Sequence, residues 1–150
     1  MSIIYVDSDA CPVKTEVVRV AKRHGFEVIF VANAWMRLPE EWGAKQVVVK
    51  DRFDAADDWI VEHIVKNDVV VTADIPLASR SIKEGARVID PQGRILSDRN
   101  IGSILATRDL MHELRGMDKI SGGPAPFLNK DRSRFLQELE QLIQDIIRNG

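Results

Sequence analysis

The carboxylates of this chain are the residues whose placement suggests chemistry. Asp7 and Asp9 close the stretch Ile3-Ile4-Tyr5-Val6-Asp7-Ser8-Asp9, and Asp74 closes Val69-Val70-Val71-Thr72-Ala73-Asp74. In both stretches an apolar run ends in an acid, and a proline follows shortly, Pro12 in the first and Pro76 in the second. A third group, Asp54, Asp57 and Asp58, lies ahead of the second run. Asp7, Asp9, Asp57 and Asp74 are the expected metal ligands, with Asp7, Asp57 and Asp74 as the expected catalytic set. Carboxylates crowded into one crevice raise one another's pKa, and a bound divalent cation removes that repulsion. Mg2+ or Mn2+ is the expected ion, because hard cations take oxygen ligands. Such an ion polarises a phosphoryl oxygen and acidifies bound water, which are the two needs of phosphodiester hydrolysis. Thr72, Arg80, Arg108 and Arg132 are the candidates for contacting substrate, although an arginine on a solvated face needs no ligand. An aspartate at a strand end or helix start can also serve the backbone alone. Capping or solvation is the expectation for Asp54, Asp58, Asp90 and Asp131, and the chemical role for Asp7 and Asp74. Asp9 and Asp57 stand between the two readings.

These acids need a scaffold that brings distant stretches together. Runs of β-branched and aromatic residues with no polar alternation read as strands buried on both faces, which belong to parallel sheets. Such strands present ligand-facing residues at their carboxyl ends. After Pro12, the positions Val13, Val17, Val20 and Ala21 keep helical spacing up to Gly25, a C-terminal stop. Strands are expected at Phe26 to Ala32, Gln46 to Val49, Val69 to Ala73 and Ala86 to Asp90, the last closed by the turn Pro91-Gln92-Gly93. Helices are expected at Phe53 to Lys66, with Asp54 as its cap, at Pro76 to Gly85, and at Ile101 to Leu114. Asn33 to Gly43 reads as a loop with a short helical turn, carrying Trp35 and Trp42. Gly116 to Lys130 reads as a Gly- and Pro-rich loop. Asp131 is the expected cap of a last helix with the stripe Phe135, Leu139, Leu142, Ile146. Alternating strands and helices predict a three-layer α/β/α fold with a mostly parallel central sheet of about five strands. The C-terminal helical extension is expected to pack on it as part of one domain spanning 1–150.

Composition narrows the function classes. A length of 150 residues suits one domain with a sizeable core. A net charge of −2 argues against a strongly basic nucleic-acid module, while leaving room for a local basic patch. The single cysteine, Cys11, leaves no internal disulfide to form and fits a reducing cytoplasm. Its place at a helix start would favour a thiolate, but the surrounding acids oppose one, so a packing role is expected. Gly122-Gly123 lacks the strand–loop–helix context of a phosphate loop. No ~20-residue apolar run is present, so no membrane span is expected. The scattered His24, His63 and His112 are expected at the surface or in packing. Trp35, Trp42 and Trp59 are expected in core or cleft walls, with base stacking by Trp35 as the alternative.

The segments I-Y-V-D-S-D-A-C-P-V-K, V-A-N, F-D-A-A-D-D-W-I, V-V-T-A-D-I-P-L-A, R-D-L-M-H-E-L-R and G-G-P-A-P-F with a following D-R and F run the length of the chain. In these the sequence resembles the YaiI/YqxD family of small bacterial proteins. The family usually carries D-A-D where this chain has Asp7-Ser8-Asp9. More distantly, the order of acids is similar to PIN-like ribonuclease domains. That likeness implies Asp7, Asp57 and Thr72/Asp74 as a metal site, with Asp9 added, and Mg2+- or Mn2+-dependent cleavage of RNA. The expected function is therefore a metal-dependent nuclease with RNA as partner. One alternative is a small-molecule phosphohydrolase, since V-D-S-D-A-C also resembles the D-x-D motif of haloacid-dehalogenase-like phosphatases. The other is a non-catalytic nucleic-acid- or protein-binding domain. The sequence leaves the oligomeric state open.

Overall fold

The computed structural model describes residues 2–9, 11–50, 55–116 and 126–149. Among these residues the sheet has six strands in the order β3-β2-β1-β4-β5-β6. They are β1 (Ile3–Asp7), β2 (Glu27–Ala32), β3 (Lys45–Val48), β4 (Val69–Val71), β5 (Arg87–Ile89) and β6 (Ile95–Leu96). The first five are parallel, and β6 pairs antiparallel with β5. The helices are α1 (Lys14–His24), α2 (Ala55–His63), α3 (Ile75–Lys83), α4 (Ile101–Gly116) and α5 (Asn129–Asn149).

The lack of polar alternation in β1 has a direct cause. Ile4 and Val6 point to one face and Tyr5 to the other, and all three are buried. The Ile4/Val6 face continues through Val28, Phe30, Val69, Val71 and Ile89, and is covered by α1 and α5. The Tyr5 face continues through Val31, Val70 and Val88, and is covered by α2, α3 and α4. This is the expected three-layer arrangement.

β1 lies between β2 and β4, so the strand order reverses direction there. Ligand crevices of open parallel sheets form at such reversals, because the connections from the two strands leave toward opposite faces. The register pairs Val6 with Val71 and Asp7 with Val31. Asp7 and the residues after Val71 therefore share one rim.

Several expectations are corrected. A sixth strand, β6, joins the five expected; its two residues carry no period that a sequence reading can detect. Asp90 organises the hairpin before it by accepting from the backbone N–H of Gln92 and Arg94. α5 starts at Asn129, inside the stretch expected to be loop. Asp131 is not its cap but sits in its first turn, where its carboxylate accepts from the backbone N–H of Leu128 at 3.0 Å. That is the reciprocal half of a capping box, in which a side chain one turn in satisfies a donor at the helix entrance. β4 ends at Val71 and α2 at His63, each earlier than expected. Asn67, at φ 72°, makes the turn between them. Asp54 as a cap and the Gly-Pro stretch 117–125 lie outside the described residues.

Candidate functional site

The rim at the β1/β4 boundary is built from three side chains. Asp7 is the last residue of β1, and Thr72 and Asp74 follow the end of β4. The Thr72 hydroxyl donates to Asp7 Oδ2 at 2.8 Å and accepts from the backbone N–H of Asp74 at 2.9 Å. Thr72 is 1 % exposed, so this relay is shielded from water. One buried hydroxyl thus joins the end of β1 to the turn that opens α3.

Asp74 begins α3 as its N-cap, and its Oδ1 accepts from the backbone N–H of Leu77 at 3.0 Å. Pro76 fits the first turn of the helix, where a missing N–H costs nothing. The backbone role and the rim role of Asp74 therefore coexist. One oxygen caps the helix, and the charge faces Asp7.

Burial is the largest influence on Asp7 and pushes its carboxyl up. The Thr72 hydrogen bond lowers it, while the negative charges of Asp74 and Asp9 raise it again. The outcome is a pKa of about 6. Near neutral pH this carboxyl lies close to its own titration, a condition typical of sites that bind cations or move protons.

Asp9 is exposed and reaches Asp7 electrostatically rather than through a hydrogen bond. Between them Ser8 is buried, its hydroxyl on the carbonyl of Val6 and its N–H on the carbonyl of Val31. The loop that follows is fastened by Lys14, which donates to the carbonyl of Cys11 at 3.0 Å. Sequence reasoning did not single out Lys14; a lysine at the start of a helix carries no signal of such a contact. Cys11 is buried and its thiol is pushed up by that burial, which matches a packing role.

Asp57 lies half-buried in the first turn of α2. The Tyr5 hydroxyl donates to the carbonyl of His63, at the other end of that helix. Asp57 is six residues earlier, about 9 Å along the helix axis. Tyr5 to Asp7 spans about 7 Å along β1. The first turn of α2 thus stands level with the rim. Asp74 and Asp9 are carboxylates whose negative charge raises the Asp7 pKa. Among the described residues, no three His, Cys, Asp or Glu side chains gather into a group able to hold a metal ion by themselves.

The arginines expected as substrate contacts each have a partner within the protein. Arg80 pairs with Asp58 at 2.9 Å, bridging α3 and α2. Arg108 pairs with its neighbour Asp109 at 3.4 Å on an exposed part of α4. Arg132 donates to the carbonyl of Pro12 at 2.9 Å and to Glu16 at 3.0 Å, with its guanidinium 5.1 Å from the Phe127 ring centroid. These contacts tie α5 to the start of α1. Two of the histidines serve packing and pairing: His24 meets Glu140 at 2.5 Å, and His63 stacks on Trp59.

The oxygen-only donor set of Asp7, Asp74 and Thr72, with Asp9 beside it, suits a hard cation. Two carboxylates are enough for Mg2+, which keeps several waters and completes its shell with substrate phosphate. No helix among the described residues is long and apolar enough to cross a membrane.

Comparison with known proteins agrees with the resemblance seen in the sequence. Residues 5–145 match the family described as "Uncharacterized BCR, YaiI/YqxD family". A UPF0178 protein of Brucella ovis is 53% identical over 148 residues, covering 98% of this chain and 92% of the relative. UPF0178 proteins of Brucella canis and Brucella suis biovar 1 match to the same extent. No solved structure matches the chain.

Proposed function

This chain belongs to the YaiI/YqxD family, and from its carboxyl rim we propose that it is a metal-dependent nuclease that hydrolyses RNA phosphodiesters. One observation carries the reading. Asp7 and Asp74, 67 positions apart in the chain, meet at the strand-order reversal and are joined by the buried Thr72 hydroxyl. Their charges act on each other there, and a cation bound between them would relieve that repulsion.

Asp7 and Asp74 are the residues that would hold Mg2+ or Mn2+, with Asp9 and Asp57 as outer candidates. The ion would supply charge neutralisation at a phosphoryl oxygen and an acidified water. The chain's own groups do the rest. Thr72 fixes the orientation of Asp7 by occupying Oδ2, which leaves Oδ1 for the cation or for a proton. Without a cation, burial and the charges of Asp74 and Asp9 raise the Asp7 pKa to about 6; a bound divalent ion would lower it and hold Asp7 as a carboxylate. The N-terminus of α3 opens onto the same rim, and its dipole favours a phosphate there.

The test is cleavage of a fluorescent single-stranded RNA with Mn2+ or Mg2+, together with calorimetric titration of the metal. Asp7→Asn and Asp74→Asn are expected to lose cleavage by a hundredfold or more and to weaken metal binding. Turnover of an aryl phosphate through a phosphorylated Asp7 would replace this reading with the phosphohydrolase one. Absence of hydrolysis and of metal binding with either ion would leave only a binding domain.

A further inference from the structure

Trp35 is 71% exposed, and the backbone that carries it is held in place. Burial alternates along the segment. Trp35 and Arg37 are exposed, while Met36 and Leu38 are half-buried against the core cluster that contains Phe30 and Val18. The Gln46 side-chain amide accepts from the Met36 N–H at 2.7 Å and donates to the Met36 carbonyl at 2.8 Å, which clamps the segment to β3. A few residues on, the 3-10 turn Glu40–Trp42 is anchored by Trp42, whose ring centroid lies 5.9 Å from that of Phe30. Trp35, Arg37, Leu38, Pro39, Glu40 and Glu41 line one open groove. A face fixed in this way loses little freedom when something docks on it.

The charges of the face narrow its occupant. Arg37, Glu40 and Glu41 are exposed, and among the described residues none of their side chains has an ion-pair partner. Lys22 of α1 donates to the backbone carbonyl of Glu41, which brings a second cation beside the two glutamates. A strongly charged partner of either sign would meet as much repulsion as attraction on such a face. A partner that carries both signs around an apolar centre satisfies it, and the face is itself built that way. Along the chain the order is Trp35 and Arg37, then Leu38 and Pro39, then Glu40 and Glu41. A two-fold axis through the Leu38–Pro39 centre reverses that order, so each Arg37 meets Glu40 and Glu41 of the other copy. Every contact is then made twice, as two-fold pairing requires. Tryptophan and arginine are also the residue types that interface centres favour.

We propose that this face is the contact between two copies of the chain, related by a two-fold axis, with each Trp35 indole seated against the groove of the other copy and each Arg37 paired with the opposing Glu40 and Glu41. The contact does not depend on the nuclease reading.

Sedimentation velocity over roughly 1–500 µM reads the association, a range wide enough for a contact at the small end of interface sizes. The wild type is expected to pass from monomer to dimer as concentration rises. Trp35→Ala should weaken dimerisation about thirtyfold or more, with unchanged far-UV circular dichroism. Arg37→Glu sets like charges face to face, and so does Glu40→Lys combined with Glu41→Lys. Each of these two proteins should stay monomeric by itself. Mixed in equal amounts they should form a heterodimer, because both charge contacts are then between opposite signs. A wild type that is monomeric throughout overturns the proposal, as does a dimer that Trp35→Ala leaves intact. Failure of the two charge-reversed proteins to associate on mixing overturns it as well. So does Trp35-dependent binding of single-stranded RNA by a chain that stays monomeric, since the face then has a different occupant.

Discussion

Asp7 holds its place at a cost in stability, and the direction of that cost with pH can be worked out. Its carboxyl titrates at about 6 in the folded protein, against 3.8 for an unperturbed group. Between those values the folded chain keeps a proton that the unfolded chain has released, so stability falls as pH rises through the window. The full penalty is present above pH 6 and absent below about pH 4, and it is on the order of 1–3 kcal/mol for a partly solvated carboxyl. Asp7→Asn is therefore expected to raise Tm at pH 8 in EDTA and to leave it unchanged at pH 4. Thermal denaturation at both pH values checks this. A pH-independent effect would mean that the charge is not strained. Thr72 offers a second test at the same scale. Thr72→Val removes the donor to Asp7 and strands the Asp74 N–H, a loss of about 1–3 kcal/mol for buried groups. It should also push the Asp7 pKa further above 6, whereas Thr72→Ser keeps the relay. The Asp7 carboxyl resonance followed by NMR across pH separates the two variants.

At the scale of elements, α3 shows how one residue serves both fold and site. As N-cap, Asp74 satisfies the Leu77 N–H, and replacing a cap by alanine costs about 1 kcal/mol. Asparagine caps as well as aspartate but carries no charge. Asp74→Asn is thus expected to keep the stability of the wild type, while Asp74→Ala loses about 1 kcal/mol in urea unfolding. Both should lower the Asp7 pKa, because its negative neighbour is gone. Equal loss of cleavage in the two variants would assign the effect to charge rather than to the helix start.

At the scale of the molecule, α5 completes one whole side of the sheet. Phe135, Leu139 and Ile143 are fully buried in the cluster formed by α1 and the Ile4/Val6 face. Phe135→Ala is expected to cost about 3–5 kcal/mol, enough to threaten folding. The β5–β6 hairpin is fitted to the same helix. Gly93 has φ +89°, and a Cβ there would lie 2.8 Å from the Arg134 backbone carbonyl carbon. Gly93→Ala should therefore destabilise by about 1–3 kcal/mol through strain and overpacking, measurable by chemical denaturation. A neutral outcome would mean that α5 can shift away from the hairpin.

The sequence by itself determined the parallel sheet and the ends of its acidic strands. Unbroken apolar runs such as Ile3–Val6 and Val69–Val71 are explained only by burial on both faces, and an acid after such a run must lie at the rim. The stripe of α5 was legible for the same reason, since Phe135, Leu139, Leu142 and Ile146 recur at the helical period. Tertiary structure alone decided that β1 and β4 are neighbours, because strand order depends on which pairings close the sheet and not on local preference. It also decided that Thr72 faces Asp7, that the three arginines pair within the protein, and that Trp35 stands out while Trp42 packs inward. Each of these depends on partners distant in sequence, and a side chain's own type does not encode which partner the fold will place beside it.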